Sequence, residues 1–450
     1  MRNSGSVTMT TIVSSKSDIS REPAFYDPRA PRPAGFGVRH KVLGMAILLA
    51  AVTYLDRVAI SVLRGPMSRD LGLNDVQMGF VFSAFYVAYG AFEIPTGWWA
   101  DKVGSRKVLT RIVVWWSTFT VLTATAFSYR SLLVIRFLFG AGEAGAFPNV
   151  ARTFSRWFPR QERGRAQGVF WVGAHLAGGV TPLIVNSLLN AGFGWRSIFV
   201  MFGSIGFVWA YTWRRWFRDT PEEHPAVTNA ERAYIAAGRP PFHERKSTLE
   251  DWKRLLANRT ALGLCLMYFT QSFGGAFYVT WLPKYFAERG LTGTTAAILA
   301  GLPLMFSTVA DVLGGVTTDA LTRRFGLRLG RAAVGGSALA MAGIFTLAGT
   351  FMASPVWAAV LIALGGASSN FLLAAAWGTC IEIGRSRAGA LSGAMNTSGQ
   401  VGAILSPTLI ALVVSQFSNN WSAPLYLTGT LFLMGSVCWL WIDPTRPVSD

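Results

Sequence analysis

"GWWADKVGSRK", residues 97–107, is the stretch on which the reading of this 450-residue chain turns. It lies between two apolar runs, 76–99 and 108–128, and holds Gly97, Asp101, Gly104, Arg106 and Lys107. A similar signature returns further on: "GVTTDALTRRFGLR" sets Gly315 and Asp319 each 218 residues after Gly97 and Asp101, with Arg323 and Arg324 following. A loop signature repeated at that displacement implies a chain built from two related halves. Gly97 allows close helix approach. Asp101, at a helix end, can accept from a neighbouring helix N-terminus or pair with an arginine.

The runs flanking these loops belong to a set of twelve, from 42–64 to 423–442. Each is long enough to cross a hydrocarbon core of about 30 Å as a helix. Composition agrees. The chain is 51% hydrophobic and 14% charged, where a soluble protein carries about a quarter charged residues. The expectation is an all-α membrane protein with twelve transmembrane helices in two pseudo-symmetric six-helix bundles. The expected units are a disordered tail (1–39), an N-terminal bundle (40–216), a charged and proline-bearing linker (217–260), a C-terminal bundle (261–442) and a second tail (443–450). Repeats of this kind mark a transporter with its site at the midplane. Short helices are expected in the linker at "NAERAYIAAG" and "LEDWKRLLAN".

The net charge of +18 does not call for a nucleic acid. With both termini on one side, 33 of the 41 basic residues fall on that side. Six fall on the other: Arg64, Arg69, Arg130, Arg196, Lys284 and Arg289. Arg57 and Arg136 lie inside spans. Such asymmetry is the positive-inside pattern, placing tails and linker in the cytoplasm and making the bilayer the partner. Residues 1–39 lack the apolar core of a cleaved signal. Cys265, Cys380 and Cys438 sit in spans and suggest neither a disulfide framework nor a metal site. No metal, cofactor or enzymatic centre is expected: there is no nucleophile–base set, and the glycine-rich strings lack a preceding strand and a Gly-Lys-Ser/Thr.

The chemistry is expected at the interior charges. In "RFLFGAGEAGAFP", residues 136–148, Arg136 and Glu143 stand two helical turns apart, about 10.5 Å of rise, with Phe139 and Gly140 expected to leave that face open. Span one carries Asp56 and Arg57. A charge at the bilayer centre costs at least about 2.5–3.5 kcal/mol on insertion scales, so these four must face a wet cavity or one another. A guanidinium offers a carboxylate a two-point fork. An acid facing that guanidinium changes its proton affinity when a substrate anion takes its place, which is the linkage symport requires. The alternative is that the four charges pair and brace the bundle.

"GWWADKVGSRK" resembles the cytoplasmic loop motif G-x-x-x-D-[RK]-x-G-x-[RK]-[RK] of the major facilitator superfamily. "YLDRVAISV", "FSAFYVAYGAFEIPTGWW", "RFLFGAGEAGAFPNVARTFSRWFPRQERGRAQG" and "FYVTWLPKYF" resemble the anion:cation symporter family. That family includes bacterial sugar-acid carriers and the animal sialin and vesicular glutamate carriers. The resemblance runs from about residue 40 to 442. It implies alternating access and transport of small organic anions, often with protons. It places proton coupling at Asp56 and Glu143, anion binding at Arg57 and Arg136, and Tyr54 and Tyr89 near the substrate. Gln271, Asn396 and Ser398 suit the hydroxyls of a sugar acid; their other reading is helix–helix hydrogen bonding. Gly97, Asp101, Gly104, Arg106, Lys107, Gly315 and Asp319 form the expected conformational latch, and Glu93, one turn before Gly97, is grouped with it. His175 could relay protons, though a lone histidine in a span reads first as a hydrogen-bonded packing residue, and Asp311 and Glu382 have no assigned role.

The expected function is proton-coupled uptake of an aldonate, aldarate or uronate by a monomer in a bacterial inner membrane. One rival is a proton-antiporting exporter, disfavoured because span five, "GVFWVGAHLAGGVTPLIV", lacks a Gly-Pro pair. Another is a solute-sensing receptor on the same fold.

Overall fold

The computed structural model describes residues 35–237, 258–384, 388–418 and 420–445. The expected tail up to residue 34, most of the second expected linker helix and residues 446–450 lie outside the described residues. Everything regular within them is helical. In the N-terminal part these are α1 (Val38–Leu71), α2 (Asp75–Val103), α3 (Ser105–Thr123), α4 (Tyr129–Glu143), α5 (Ala146–Trp157), α6 (Arg160–Asn190) and α7 (Trp195–Trp216). A linker helix, α8 (Asn229–Ala237), follows. The C-terminal part holds α9 (Arg259–Thr280), α10 (Leu282–Glu288), α11 (Gly293–Thr350), α12 (Pro355–Phe371), α13 (Leu373–Gly384), α14 (Ala388–Gln416) and α15 (Ala423–Cys438).

Twelve spans emerge once three breaks and one merger are read together. The chain interrupts its helix between Glu143 and Ala146, at Trp281 and at Leu372, so α4–α5, α9–α10 and α12–α13 each make one span. Conversely α11 runs for 58 residues as two spans, turned at Gly326 with φ 80° and ψ 170°. Only glycine adopts that conformation without strain, so one residue replaces the loop expected there. Seven helical stretches, α11 among them, are long and apolar enough to cross a membrane, among the described residues. The chain is thus an integral, multi-pass membrane protein.

Within the N-terminal part α1 packs on α6 and α7, and α3 on α4 and α7; within the C-terminal part α11 packs on α12 and α15, and α9 on α14 and α15. The two parts meet along two seams, α2 with α14 and α6 with α11, and where α1 touches α9 and α10. A Cβ on Gly301 would collide with the Gly179 carbonyl, and one on Gly79 would stand 2.9 Å from the Pro407 carbonyl oxygen. Backbones therefore touch at both seams. The apolar cores report where the closure lies. One cluster joins Leu63, Met67, Met78 and Phe82 to Trp281, Tyr285 and Val414, so it spans both parts. The other is built on buried residues of the N-terminal part and α8's approach. The residues through which that cluster crosses between the parts lie at the face away from the linker, where Phe82 meets Trp281 edge-on at 5.3 Å.

The linker is not merely tethered. Glu231 on α8 is buried and accepts from the backbone N–H groups of Val38 and Arg39 at 3.1 Å each and from the Arg39 guanidinium at 3.2 Å. It supplies α1 with the N-terminal carboxylate that its own first turn lacks.

Candidate functional site

The interior charges converge. Tyr54, Asp56 and Arg57 come from α1, Tyr86 and Tyr89 from α2, Arg136 and Glu143 from α4, and Phe147 from α5. Glycine makes this possible. A Cβ on Gly140 would collide with the Phe85 carbonyl of α2, and one on Gly142 with Trp115 of α3. The face expected to be open beside Arg136 is instead where α2 docks. Glu143 ends α4, at the break before α5.

Arg57 pairs with Glu143 through its Nε. Its guanidinium is walled by four rings, with centroids at 4.7 Å (Tyr89), 5.1 Å (Phe85), 5.5 Å (Phe147) and 5.8 Å (Tyr54). Arg136 is 2% exposed, lies 4.2 Å from the Phe139 ring and 5.5 Å from Phe85, and has no carboxylate within ion-pair distance among the described residues. Asp56 is buried, and Thr120 donates to its Oδ2 at 3.4 Å, a weak bond. One atom of each charge finds no hydrogen-bond partner among the described residues: Asp56 Oδ1, Arg57 Nη2, Arg136 Nε and Glu143 Oε2. Two cations and two anions thus sit in an aromatic chamber, formally neutral yet incompletely bonded. An unmet buried polar atom costs about 1–3 kcal/mol, so the cluster is poised to accept water, protons or a polar ligand.

The C-terminal part contributes neutral groups. Gln271 donates to Asn370 at 3.2 Å, Asn370 donates to Ser307 Oγ at 2.7 Å, and Ser272 donates to Gln271 at 3.2 Å. Ser398 turns to α9 and donates to the Cys265 carbonyl at 2.8 Å, a helix–helix bond. Asn396 points across the seam instead and donates to both oxygens of Glu93, at 3.2 and 3.1 Å. Glu93 is therefore engaged with α14 rather than with the loop after α2. The other seam holds a second pair: His175 Nδ1 lies 2.8 Å from Asp311 Oδ2. The His175 ring also meets Tyr54 at 5.7 Å and Trp171 at 5.8 Å, which ties it to the Arg57 chamber.

The expected latch residues divide. Gly104, at φ 92°, brings the chain against Asp219, which accepts from the Arg106 N–H at 2.9 Å; the Arg106 guanidinium donates to the Arg214 carbonyl at 3.1 and 2.7 Å. Burial, and after it crowding by Arg218 and Arg214, holds Arg106 below its usual range. Lys107 and Asp319 are exposed, and the Asp101 side chain lies outside the described residues. Gly97 makes only ordinary contact, 3.8 Å from a Cβ to Pro148, and Gly315 likewise, 4.0 Å to Ala374. The tight approach in the second loop falls at Gly314, where a Cβ would collide with the Phe371 carbonyl. Glu382 lies near Arg331, at 3.6 Å.

Asn370, Ser307, Tyr86, Phe147 and the His175–Asp311 pair were missed in sequence. Asn370 had a signal: it is the lone amide in an apolar span, beside the Leu372 break, as Glu143 stands beside its own.

Comparison with known proteins follows the same lines. Residues 46–407 match the Major Facilitator Superfamily. The chain is 36% identical over 414 residues to a probable sulfoacetate transporter, SauU, of Cupriavidus necator, covering 92% of this chain and 95% of that protein. It is 30% identical over 431 residues to a probable galactarate/D-glucarate transporter, GarP, of Escherichia coli, covering 91% and 95%. Its fold is similar to that of a bacterial homologue of the human lysosomal transporter Spinster, in an inward-facing and occupied conformation, with TM-score 0.71, 18% identity and coverage of 89% and 96%.

Proposed function

The chain belongs to the major facilitator superfamily, and from that premise we propose that it is a secondary transporter carrying a small organic acid, of the sulfonate or sugar-acid kind, into the cell together with protons. The observation that carries this reading is the chamber in which Arg57 holds Glu143 while Arg136 has no carboxylate within ion-pair distance among the described residues. A substrate acid group binds Arg136 in a two-point fork and competes with Glu143 for Arg57. Glu143, deprived of its counter-charge, takes a proton, and Asp56 takes another. Substrate and proton thereby bind cooperatively. Tyr54 and Tyr89 wall the acid group, while Gln271, Asn370 and Asn396 meet the rest of the molecule. The carrier acts as a monomer in a bacterial inner membrane, with linker and termini in the cytoplasm, as the distribution of basic residues favours. The glycine-and-acid loops after α2 and in mid-α11 serve as its latch.

The test is uptake into proteoliposomes of sulfoacetate, galactarate, D-glucarate and aldonates, with and without an imposed inward proton gradient. Accumulation that follows the gradient supports the proposal. Uptake indifferent to it removes proton coupling, and binding without counterflow makes the protein a receptor. Impermeant thiol reagents in whole cells test orientation, since a cysteine at position 230 should resist them.

A further inference from the structure

The geometry points to a second anion site, at the face away from the linker, that receives the acid before the central chamber does. A depression of about 650 Å3 opens there, lined from both parts of the chain by Arg64, Ser68, Arg69, Asp75, Lys284 and Ser415, among others. Only six basic residues lie on that side in the sequence, and three of them converge on this depression. Asp75 is the single acid among the lining residues. It is shared by two cations, at 2.7 Å from Arg64 and 3.8 Å from Lys284. Lys284 is also held by Glu288 one turn on. Arg69 is exposed and has no carboxylate partner among the described residues. By contrast, Arg196 on the same face is already occupied by Asp70.

The depression sits over the sealed seam. The Arg64 guanidinium lies 5.9 Å from the Trp281 ring, and Lys284 lies 5.7 Å from Trp421. The Asp75–Lys284 pair joins α2 to α10, hence one part of the chain to the other. An oxyanion docking beside Arg69 competes with Asp75 for Arg64 and Lys284, and so weakens an ion pair across the very closure that must open to admit it. The excess of basic over acidic side chains in this lining raises local anion concentration and association rate in an ionic-strength-dependent way. The ligand class is a carboxylate, sulfonate or phosphate oxygen. It can come from the dissolved acid or from an anionic lipid headgroup. This inference rests on the proposal that the central chamber carries organic anions.

The experiment measures initial uptake from the face away from the linker, in vesicles of defined orientation, with sulfoacetate and galactarate as probes. Wild type, Arg69→Gln, Arg69→Lys and Lys284→Gln are compared in phosphatidylcholine alone and with phosphatidylglycerol added. Arg69→Gln should raise KM from that face about three- to tenfold and flatten its dependence on salt. It should leave kcat and the KM for efflux from the linker face unchanged, and Arg69→Lys should restore most of the loss. A defect seen only with phosphatidylglycerol present assigns the oxyanion site to lipid headgroups. Unchanged KM and salt dependence in both lipids would overturn the site. Arg136→Lys, run alongside, keeps the two readings apart, because it strikes the chamber from both faces. If Arg136→Lys is silent while Arg69→Gln shifts KM, the central assignment falls and the outer site stands.

Discussion

The two parts of the chain carry opposite kinds of interior polarity. The N-terminal part supplies Asp56, Arg57, Arg136 and Glu143, each buried or nearly so and each with an atom lacking a partner among the described residues. The C-terminal part supplies Gln271, Asn370 and Ser307, neutral and already bonded to one another. An unfinished charged cluster changes state when a ligand or proton arrives. A finished neutral network holds its shape. Under the proposed mechanism the recognition of charge and the response to pH fall to one half, and the discrimination among anions to the other. His175 and Asp311 are the point where the division blurs, because there a half-buried acid of the C-terminal part reaches an N-terminal imidazole.

The sharpest way to break this division is to remove the titratable acids. Glu143→Gln should retain counterflow yet lose gradient-driven accumulation altogether, and Asp56→Asn should do the same or stall the return of the empty carrier. Counterflow and accumulation are measured on each variant; full accumulation in both would move the protons elsewhere. Next is Arg136→Lys, which keeps the charge and loses the fork. Charge-assisted hydrogen bonds contribute about 1.5–3 kcal/mol, so affinity should fall roughly tenfold to a hundredfold by titration calorimetry. Near-normal affinity would make Arg136 a brace. Asn370→Ala and Gln271→Ala should act more mildly, changing the ranking among sulfoacetate, galactarate and aldonates by several-fold while the response to a proton gradient persists. A change in gradient response would put charge coupling into the C-terminal network. Ser398→Ala should have the smallest effect. Interhelical hydrogen bonds in membranes average about 0.6 kcal/mol, so a slight drop in melting temperature with unaltered transport is expected.

Much of this architecture could be read from local sequence, because lipid imposes its length on every span. The twelve spans and the charge bias follow from runs of apolar residues and the placing of arginines. The linker helix at Asn229–Ala237 was legible too, though not that Glu231 would cap α1. Interior charges such as Arg136 and Glu143 were conspicuous because each violates its surroundings. What escaped depends on the docking of distant segments. No periodicity around Glu93 reports Asn396, 303 residues away, nor does anything near His175 report Asp311, 136 residues away. The Leu372 break carries no proline or glycine of its own, so the span gave no warning of it. At Gly326 a loop was expected where one left-handed residue suffices.

The contact of Gly179 with Gly301 has a consequence for speed. Side chains that interlock must find and then surrender particular rotamers each time a surface parts and rejoins, at up to about 2 kcal/mol of entropy for the longest of them. Where two peptide chains touch directly, the crossing freezes no rotamer of its own on closing and releases none on opening. The seam behaves there as a bearing rather than a clasp. A single methyl group at Gly301 would act as grit in it, holding α6 and α11 apart and slowing turnover at saturating substrate far more than it altered affinity.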